Sequence, residues 1–107
     1  MTLPTQLVLR ALLAEPAREM YGLEICAVAE LPSGTIHPIL ARLEGIGWLE
    51  SRWEDVDPHE AGRPRRRFYR LSRDGAASAL TALARAEAAA AKLAGRGLRP
   101  GLAGGAG

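Results

Sequence analysis

The spacing of apolar residues predicts three short helices in the first 45 positions. Apolar side chains recur about one turn apart in residues 5–14 and again in residues 21–29, which is the pattern of amphipathic helices. A third helix is predicted from Ser33, whose hydroxyl can cap its first turn, to Gly45, which favours a helix end. Its buried face is predicted to consist of Ile36, Ile39, Leu40 and Leu43.

A long hairpin and a final helix are predicted to follow. Residues 49–54 and 66–71 alternate between apolar and polar side chains, which is the period of a β-strand with one face inward. Glycine and proline between them predict a hairpin with a long tip. Ser72 and Asp74 then begin an alanine-rich helix, which we expect to end at Gly95. The predicted fold class is mainly α with a small β-hairpin, in the order of a winged helix-turn-helix domain with a C-terminal helix.

The chain has 107 residues, which allows one modest hydrophobic core. We expect a winged helix-turn-helix domain in residues 1–71, a dimerisation helix in residues 72–94 and a disordered tail in residues 95–107. A long helix beyond the core needs a surface to cover its apolar side, and a second copy of the chain is the simplest one. The residues predicted to meet that copy are Leu80, Leu83, Ala90 and Leu93. The alternative is that this helix folds back onto the first predicted helix.

Positive charge is concentrated in one segment, although the formal net charge is only +2. Six arginines and no acid lie in residues 63–73, and this local basic strip is typical of a protein that contacts nucleic acid with one surface. We predict that Arg63, Arg65 and Arg66 hold the DNA backbone from the hairpin. Acids that could neutralise some of these arginines are Asp55, Asp57 and Glu60. The alternative is a charged hairpin edge that prevents pairing with other sheets.

The exposed side of the third predicted helix is the candidate reader of base edges. In helix-turn-helix proteins the N-terminal residues of this helix enter the major groove, where hydroxyl, imidazole and guanidinium groups can hydrogen-bond to bases. The residues predicted to do so are Ser33, Gly34, Thr35, His37, Pro38 and Arg42. An ordinary solvated polar face is the alternative, because any amphipathic helix has one.

Features of enzymes, metal proteins and membrane proteins are missing from the sequence. Cys26 lies in an apolar stripe, as a structural cysteine does, and with His37 and His59 it forms no metal-ligand spacing. We therefore expect no cofactor, no metal and no enzymatic activity. No apolar run approaches the roughly 20 residues of a transmembrane helix, and the N-terminus lacks a signal-peptide pattern. A cytoplasmic location is the resulting expectation.

Four motifs stand in order along the chain. They are YGLEI at residues 21–25, SGTIHPILARLE at 33–44, GWLE at 47–50, and GRPRRRFYRLS at 62–72 with Gly75. Together they resemble the PadR family of bacterial transcriptional regulators, and the resemblance extends from Leu7 to Ala94. The family's Gly-Thr-Leu-Tyr-Pro core stands here as GTIHP, with His37 in the place of the usual tyrosine.

The resemblance implies a homodimer on a palindromic operator in double-stranded DNA. It further implies a repressor that a small-molecule effector releases, with the C-terminal helix as the dimer arm. A second interpretation stays open, in which the same winged helix docks onto an acidic protein partner without reading DNA.

Overall fold

The computed structural model describes the backbone of residues 1–105 and the side chains of residues 1–96. Its helices are α1 (Leu3–Leu13), α2 (Gly22–Ala29), α3 (Ser33–Gly45), α4 (Pro58–Ala61) and α5 (Arg73–Gly105). Its strands are β1 (Met20–Tyr21), β2 (Leu49–Trp53) and β3 (Arg67–Leu71). This order confirms the predicted class, a mainly helical winged helix with a small antiparallel sheet and a long C-terminal helix.

Helices α1, α2 and α3 pack around one core. Leu9 of α1, Ile25 of α2 and Leu40 of α3 are completely buried. All four apolar residues predicted for the inner face of α3 are buried, which confirms the helical period assigned to that segment. The predicted cap is wrong by one position: Pro32 occupies the cap, and Ser33 is the first helical residue. Proline suits that place because its fixed φ matches the extended backbone that precedes a helix.

The sheet has three strands in the order β1-β3-β2, all antiparallel. Leu49 pairs with Leu71, and both are buried, so the hairpin of β2 and β3 turns one face onto the helices. The sequence predicts a connecting segment up to Met20, but Met20 is a strand residue that pairs with Tyr69. A strand of two residues is too short to show the alternation from which strands are predicted.

The wing tip, residues 54–66 between β2 and β3, is folded rather than open. A carboxylate oxygen of Asp57 accepts a hydrogen bond from the backbone N–H of His59 and so caps α4, a single helical turn. Gly62 follows that turn in the left-handed conformation, with φ of 68°, which glycine adopts without strain. The tip therefore has a defined shape and carries the arginines that follow it.

Helix α5 uses its first half to cover the domain's own core. Ala79 is completely buried, and Leu83 is 7% exposed. Glu87 forms an ion pair with Arg10 of α1, with 3.0 Å between the carboxylate and the guanidinium. This half of α5 therefore folds back onto α1, as the alternative interpretation of the sequence predicts. Beyond this half, the side chains of residues 88–96, the last ones that the structure describes, are all exposed.

The predicted end of α5 differs from the structure. The helix passes through Gly95 and continues to Gly105, within the segment predicted to be a disordered tail. One glycine costs a helix only about 1 kcal/mol relative to alanine, so the run of alanines before Gly95 can carry the helix past this one position. Helix propensity does not explain the rest of the extension, because Gly97, Pro100 and Gly101 follow. Residues 106 and 107 of the predicted tail lie outside the described residues.

Candidate nucleic-acid interface

The polar face of α3 is exposed opposite its buried stripe. Of the residues predicted to read bases, Thr35 is half-buried and the others are exposed. The exposed ones are Ser33, Gly34, His37, Pro38 and Arg42. Helix α3 thus presents hydroxyl, imidazole and guanidinium groups to solvent, but His37 and Arg42 lie about 140° apart around it. Arg42 lines a different groove, next to the start of α1.

His37 and the wing arginines line one groove on this surface. The groove has a volume of about 380 Å³. The residues that line it are Tyr21, Gly22, Leu23, His37, residues 63–67 and Tyr69. The imidazole of His37 lies against Gly22, where a Cβ atom would be 3.2 Å from Cε1 of His37. Glycine at this position lets the start of α2 and the middle of α3 lie side by side.

The three wing arginines predicted to hold DNA are held in three different ways. Both terminal nitrogens of Arg63 donate to the carboxylate of Glu54, at 2.6 and 3.0 Å. Nε of Arg65 donates to the backbone oxygen of Val56 at 2.9 Å. The guanidinium of Arg66 lies over the ring of Tyr21, 4.2 Å from its centroid. Within the described part of the chain, Arg66 forms no ion pair, so its charge is available at the groove.

The other arginines of the sheet are paired with acids from neighbouring elements. Arg52 donates from two nitrogens to Glu19, at 2.6 and 2.8 Å. Arg70 lies 3.4 Å from Glu50 on the adjacent strand. Arg67 lies 3.7 Å from a carboxylate oxygen of Glu44. These pairs leave the excess of positive charge on the side of the wing that carries Arg65 and Arg66.

Glu54 is the electrostatic centre of the wing tip. The hydrogen bonds from the Arg63 side chain, together with one from the backbone N–H of Arg66 at 3.2 Å, lower the pKa of Glu54 to about 2. The same pairing raises the pKa of the Arg63 guanidinium above its ordinary value. Both groups are therefore charged at neutral pH, and each stabilises the charged form of the other.

Two residues of this site were missed by the sequence reasoning. Tyr21 faces Arg66 because β1 places it beside β3, and that strand was not predicted. Glu54, rather than Asp55, Asp57 or Glu60, is the acid that pairs with Arg63. The available signal was the position of Glu54 at the end of the alternating strand pattern, where its backbone N–H still bonds across the hairpin to the carbonyl of Arg66.

The residues predicted to form a dimer contact do not share one side of α5. Leu83 belongs to the core of the single chain, so its predicted role in dimerisation is not supported by its position. Ala90 follows Leu83 by seven residues and continues the same side to within about 20°. Leu80 and Leu93 are 60% and 65% exposed, and Leu93 is turned about 80° from the side of Leu83.

Other chemistry is sparse in the part of the chain that the structure describes. Cys26 is half-buried and packs against the core. No group of three or more histidine, cysteine or acidic residues among residues with described side chains could hold a metal ion. No described helix is both long enough and apolar enough to cross a membrane.

Solved structures share this arrangement of helices and wing. The smu.1704 protein of Streptococcus mutans UA159 matches with a TM-score of 0.64 and 23% identity, over 85% of this chain and 86% of its own. A PadR family transcription regulator from hypervirulent Clostridium difficile R20291 matches with a TM-score of 0.60 and 20% identity, over 99% and 100%. BpsR of Bordetella bronchiseptica, whose DNA binding is regulated by 6-hydroxynicotinic acid, matches with a TM-score of 0.64 and 18% identity. That match covers 81% of this chain and 60% of BpsR. At these sequence identities, all three structures show a similarity of fold only.

The sequence itself matches a family model. Among curated proteins none matches significantly. The model of the transcriptional regulator PadR-like family matches residues 8–81, which include the second half of α1, helices α2 and α3, the wing and the start of α5. This match covers more than half of the chain, and the chain therefore belongs to the PadR-like family of transcriptional regulators.

Proposed function

We propose that this protein is a sequence-specific regulator that reads double-stranded DNA with α3 and holds it with the wing. The observation that carries the proposal is the common groove, in which His37 of α3 and Arg66 of the wing lie on one surface. A helix that enters the major groove needs a second element to contact the neighbouring backbone, and this arrangement supplies both.

The proposed division of labour follows from side-chain chemistry. His37 and Arg42 carry nitrogen donors that can bond to purine edges, and Gly34 lets the start of the helix come close to the bases. The remaining residues of the proposed base-reading surface are Ser33, Thr35 and Pro38. Arg65 and Arg66 carry charge toward the DNA backbone, where guanidinium groups follow phosphates regardless of sequence.

A homodimer is the proposed form on DNA. The exposed half of α5 extends beyond the domain, and the side of Leu83 and Ala90 runs from the core into that exposed half. Pairing of two such helices would cover the alanine-rich surface and bring two copies of α3 onto one face. A dimer with two-fold symmetry reads a palindrome with half-sites about 34 Å apart, one turn of DNA.

Repression and release by a small molecule complete the proposal. The family resemblance implies a repressor, and BpsR, a protein of similar fold, is regulated by 6-hydroxynicotinic acid. We propose that a small molecule also releases this chain from DNA, and we do not propose that the molecule is 6-hydroxynicotinic acid. We also propose a cytoplasmic location for this chain, because a bacterial transcriptional regulator meets the chromosome there.

The test is to sequence the genomic DNA fragments that the purified protein retains at physiological salt. The proposal expects a small set of enriched fragments that share a palindrome, and loss of the enrichment in a His37→Ala variant. Uniform retention of all fragments would contradict sequence-specific reading. No retention at all would favour the docking of a protein partner on the same surface.

A further inference from the structure

We propose that Glu54 and Arg63 form a clamp that holds the wing tip in its DNA-binding shape, so that Arg63 is a positioning residue and not a DNA contact. The inference rests on the proposed function, because it assigns different roles to the arginines of the same wing. It separates Arg63 from Arg66, which the sequence treats as equivalent.

The geometry of Glu54 carries the first step. Its backbone N–H donates to the carbonyl of Arg66 at 2.8 Å, and one oxygen of its carboxylate accepts from the backbone N–H of Arg66 at 3.2 Å. The same carboxylate accepts hydrogen bonds from both terminal nitrogens of Arg63. Glu54, at the first position of the tip, is therefore hydrogen-bonded both to Arg66, at the last position, and to Arg63, three residues before it.

The rest of the tip closes over this clamp. The backbone N–H of Arg63 donates to the carbonyl of Pro58 at 3.2 Å, and its side chain also donates to the carbonyl of Pro64 at 3.3 Å. Arg65 reaches across the tip to Val56. Arg63 thus connects α4 to the residue that follows β2, and truncating its side chain would remove its hydrogen bonds to Glu54 and Pro64 together.

The pairing of Arg63 argues against a direct contact with phosphate. Its planar fork is already occupied by two charge-assisted hydrogen bonds to a single carboxylate, the geometry in which arginine binds most strongly. The Glu54 side chain is only 13% exposed, and that of Arg63 is 35% exposed. Turning Arg63 to a phosphate would leave the carboxylate of Glu54 poorly solvated and unpaired beside the negatively charged backbone of DNA.

Pre-organisation of the tip determines how strongly the free arginines bind. The apparent dissociation constant equals the intrinsic constant divided by the fraction of molecules in the competent shape. A clamp that keeps this fraction near one, and whose loss lowers it to about one tenth, changes DNA affinity about tenfold. Such a change leaves the number of phosphate contacts as it was, and with it the dependence on salt.

The first test uses the free protein and needs no DNA. Hydrogen exchange of the backbone amides of Ala61, Arg63 and Arg66 is compared in wild type, Glu54→Ala, Arg63→Ala and Arg63→Lys. The proposal expects about tenfold faster exchange at these amides in all three variants, because lysine keeps the charge but lacks the planar fork. Glu60→Ala, a change of an exposed acid in the same tip, is the matched control and should leave their exchange unchanged. Unchanged exchange at Ala61 and Arg63 in Glu54→Ala would overturn the clamp, whereas Arg66 loses its own acceptor in that variant and exchanges faster in either case.

The second test measures binding to a mixed-sequence duplex of about 30 base pairs, long enough for two half-sites one turn apart. The proposal expects Glu54→Ala and Arg63→Ala each to lower affinity about tenfold, the double variant to lower it no further, and the salt slope to stay constant. Arg66→Ala should instead reduce the slope by about 0.9, the loss of one phosphate contact. Circular dichroism of each variant checks that the helices remain folded.

Two outcomes would overturn the inference in this second test. If Glu54 only repels DNA, removing its charge would raise affinity in Glu54→Ala. If Arg63 contacts phosphate directly, Arg63→Ala would reduce the salt slope as Arg66→Ala does. A wild-type protein that binds neither this duplex nor any genomic fragment would contradict the proposed function, whereas the exchange experiment would still decide whether Glu54 and Arg63 clamp the tip.

Discussion

Gly75 of α5 lies directly against the backbone carbonyl of Trp48, so that a Cβ at position 75 would be 2.0 Å from the Trp48 oxygen. The backbone N–H of Ser72 donates to the same oxygen at 2.9 Å, and the Ser72 hydroxyl donates to the carbonyl of Gly47 at 2.7 Å. The start of α5 is therefore fixed to the connection between α3 and β2. This contact sets the direction in which the C-terminal helix leaves the DNA-binding domain.

Gly75→Ala is expected to lower the free energy of unfolding by about 3 kcal/mol, because the added methyl group meets backbone atoms that cannot rotate away. The measurement is urea unfolding followed by circular dichroism. Gly45→Ala is the matched control: no atom lies within 4 Å of the added methyl group, and alanine favours the helix, so stability should stay equal or rise by up to about 1 kcal/mol. Equal stability of the two variants would show that α5 does not start on Trp48 in solution.

Glu54 predicts a specific response to acid. Its pKa is lowered to about 2 from an ordinary 4.5, so its carboxylate form stabilises the folded chain above pH 4.5, and this contribution fades as the pH falls toward 2. We expect urea midpoints of the wild type to decrease between about pH 4.5 and pH 2. Glu54→Gln should flatten this decrease, since the amide does not titrate in that window.

Arg63→Ala is the second variant for the acid experiment, and it is expected to act in the same direction as Glu54→Gln. The hydrogen bonds from Arg63 are the main cause of the lowered pKa of Glu54, so their removal should flatten the acid limb as Glu54→Gln does. An acid limb that stays as steep in both variants as in the wild type would show that other carboxylates control it. Glu19, whose pKa is also lowered by its pairing with Arg52, is then the residue to change next.

Helices α1, α2 and α3 could be predicted from the spacing of their apolar residues, whereas α4, a single turn with no buried residue, could not. The buried set of α3, from Ile36 to Leu43, is the clearest case. The third strand could not be predicted, since Met20 and Tyr21 form a strand only by pairing with β3. A periodic signal needs length, and a two-residue element has none.

Sequence reasoning also could not identify which residues contact each other when they lie far apart along the chain. The acids named from the sequence were Asp55, Asp57 and Glu60, but the fold of the tip pairs Arg63 with Glu54, nine residues away. The stripe of α5 was visible in the sequence, but whether its residues face α1 or a second chain depends on where the helix starts. The contact of Gly75 with Trp48 fixes that start, and it places Leu83 inside the domain.

Two substitutions on α5 separate folding from dimerisation. Leu83→Ala removes a side chain from the core and should lower the free energy of unfolding by about 2–4 kcal/mol. Ala90→Glu places a charge on the same side of the helix but beyond the core, where the residue is exposed in the single chain. It should therefore weaken self-association, seen by sedimentation equilibrium, while the monomer stays folded.

Ala88→Glu is the matched control for that experiment. It makes the same change two residues earlier, about 160° around the helix from Ala90, where the residue is also exposed. It should leave self-association nearly unchanged. Equal weakening by both variants, or by neither, would contradict a dimer contact that continues the side of Leu83.

His37 is expected to contribute to sequence preference more than to overall affinity. Its imidazole is exposed on α3 and lies against Gly22, which fixes the place from which it can reach a base edge. Loss of one base contact costs about 1–3 kcal/mol, so His37→Ala should weaken binding to an enriched genomic fragment about 5-fold to 150-fold, yet barely change binding to a mixed-sequence duplex. Fluorescence anisotropy on both duplexes measures the ratio, and His59→Ala, at an exposed histidine of the wing tip, should leave it unaltered. Because phosphate contacts act on every sequence alike, equal weakening on the two duplexes in His37→Ala would place His37 on the DNA backbone instead of on a base.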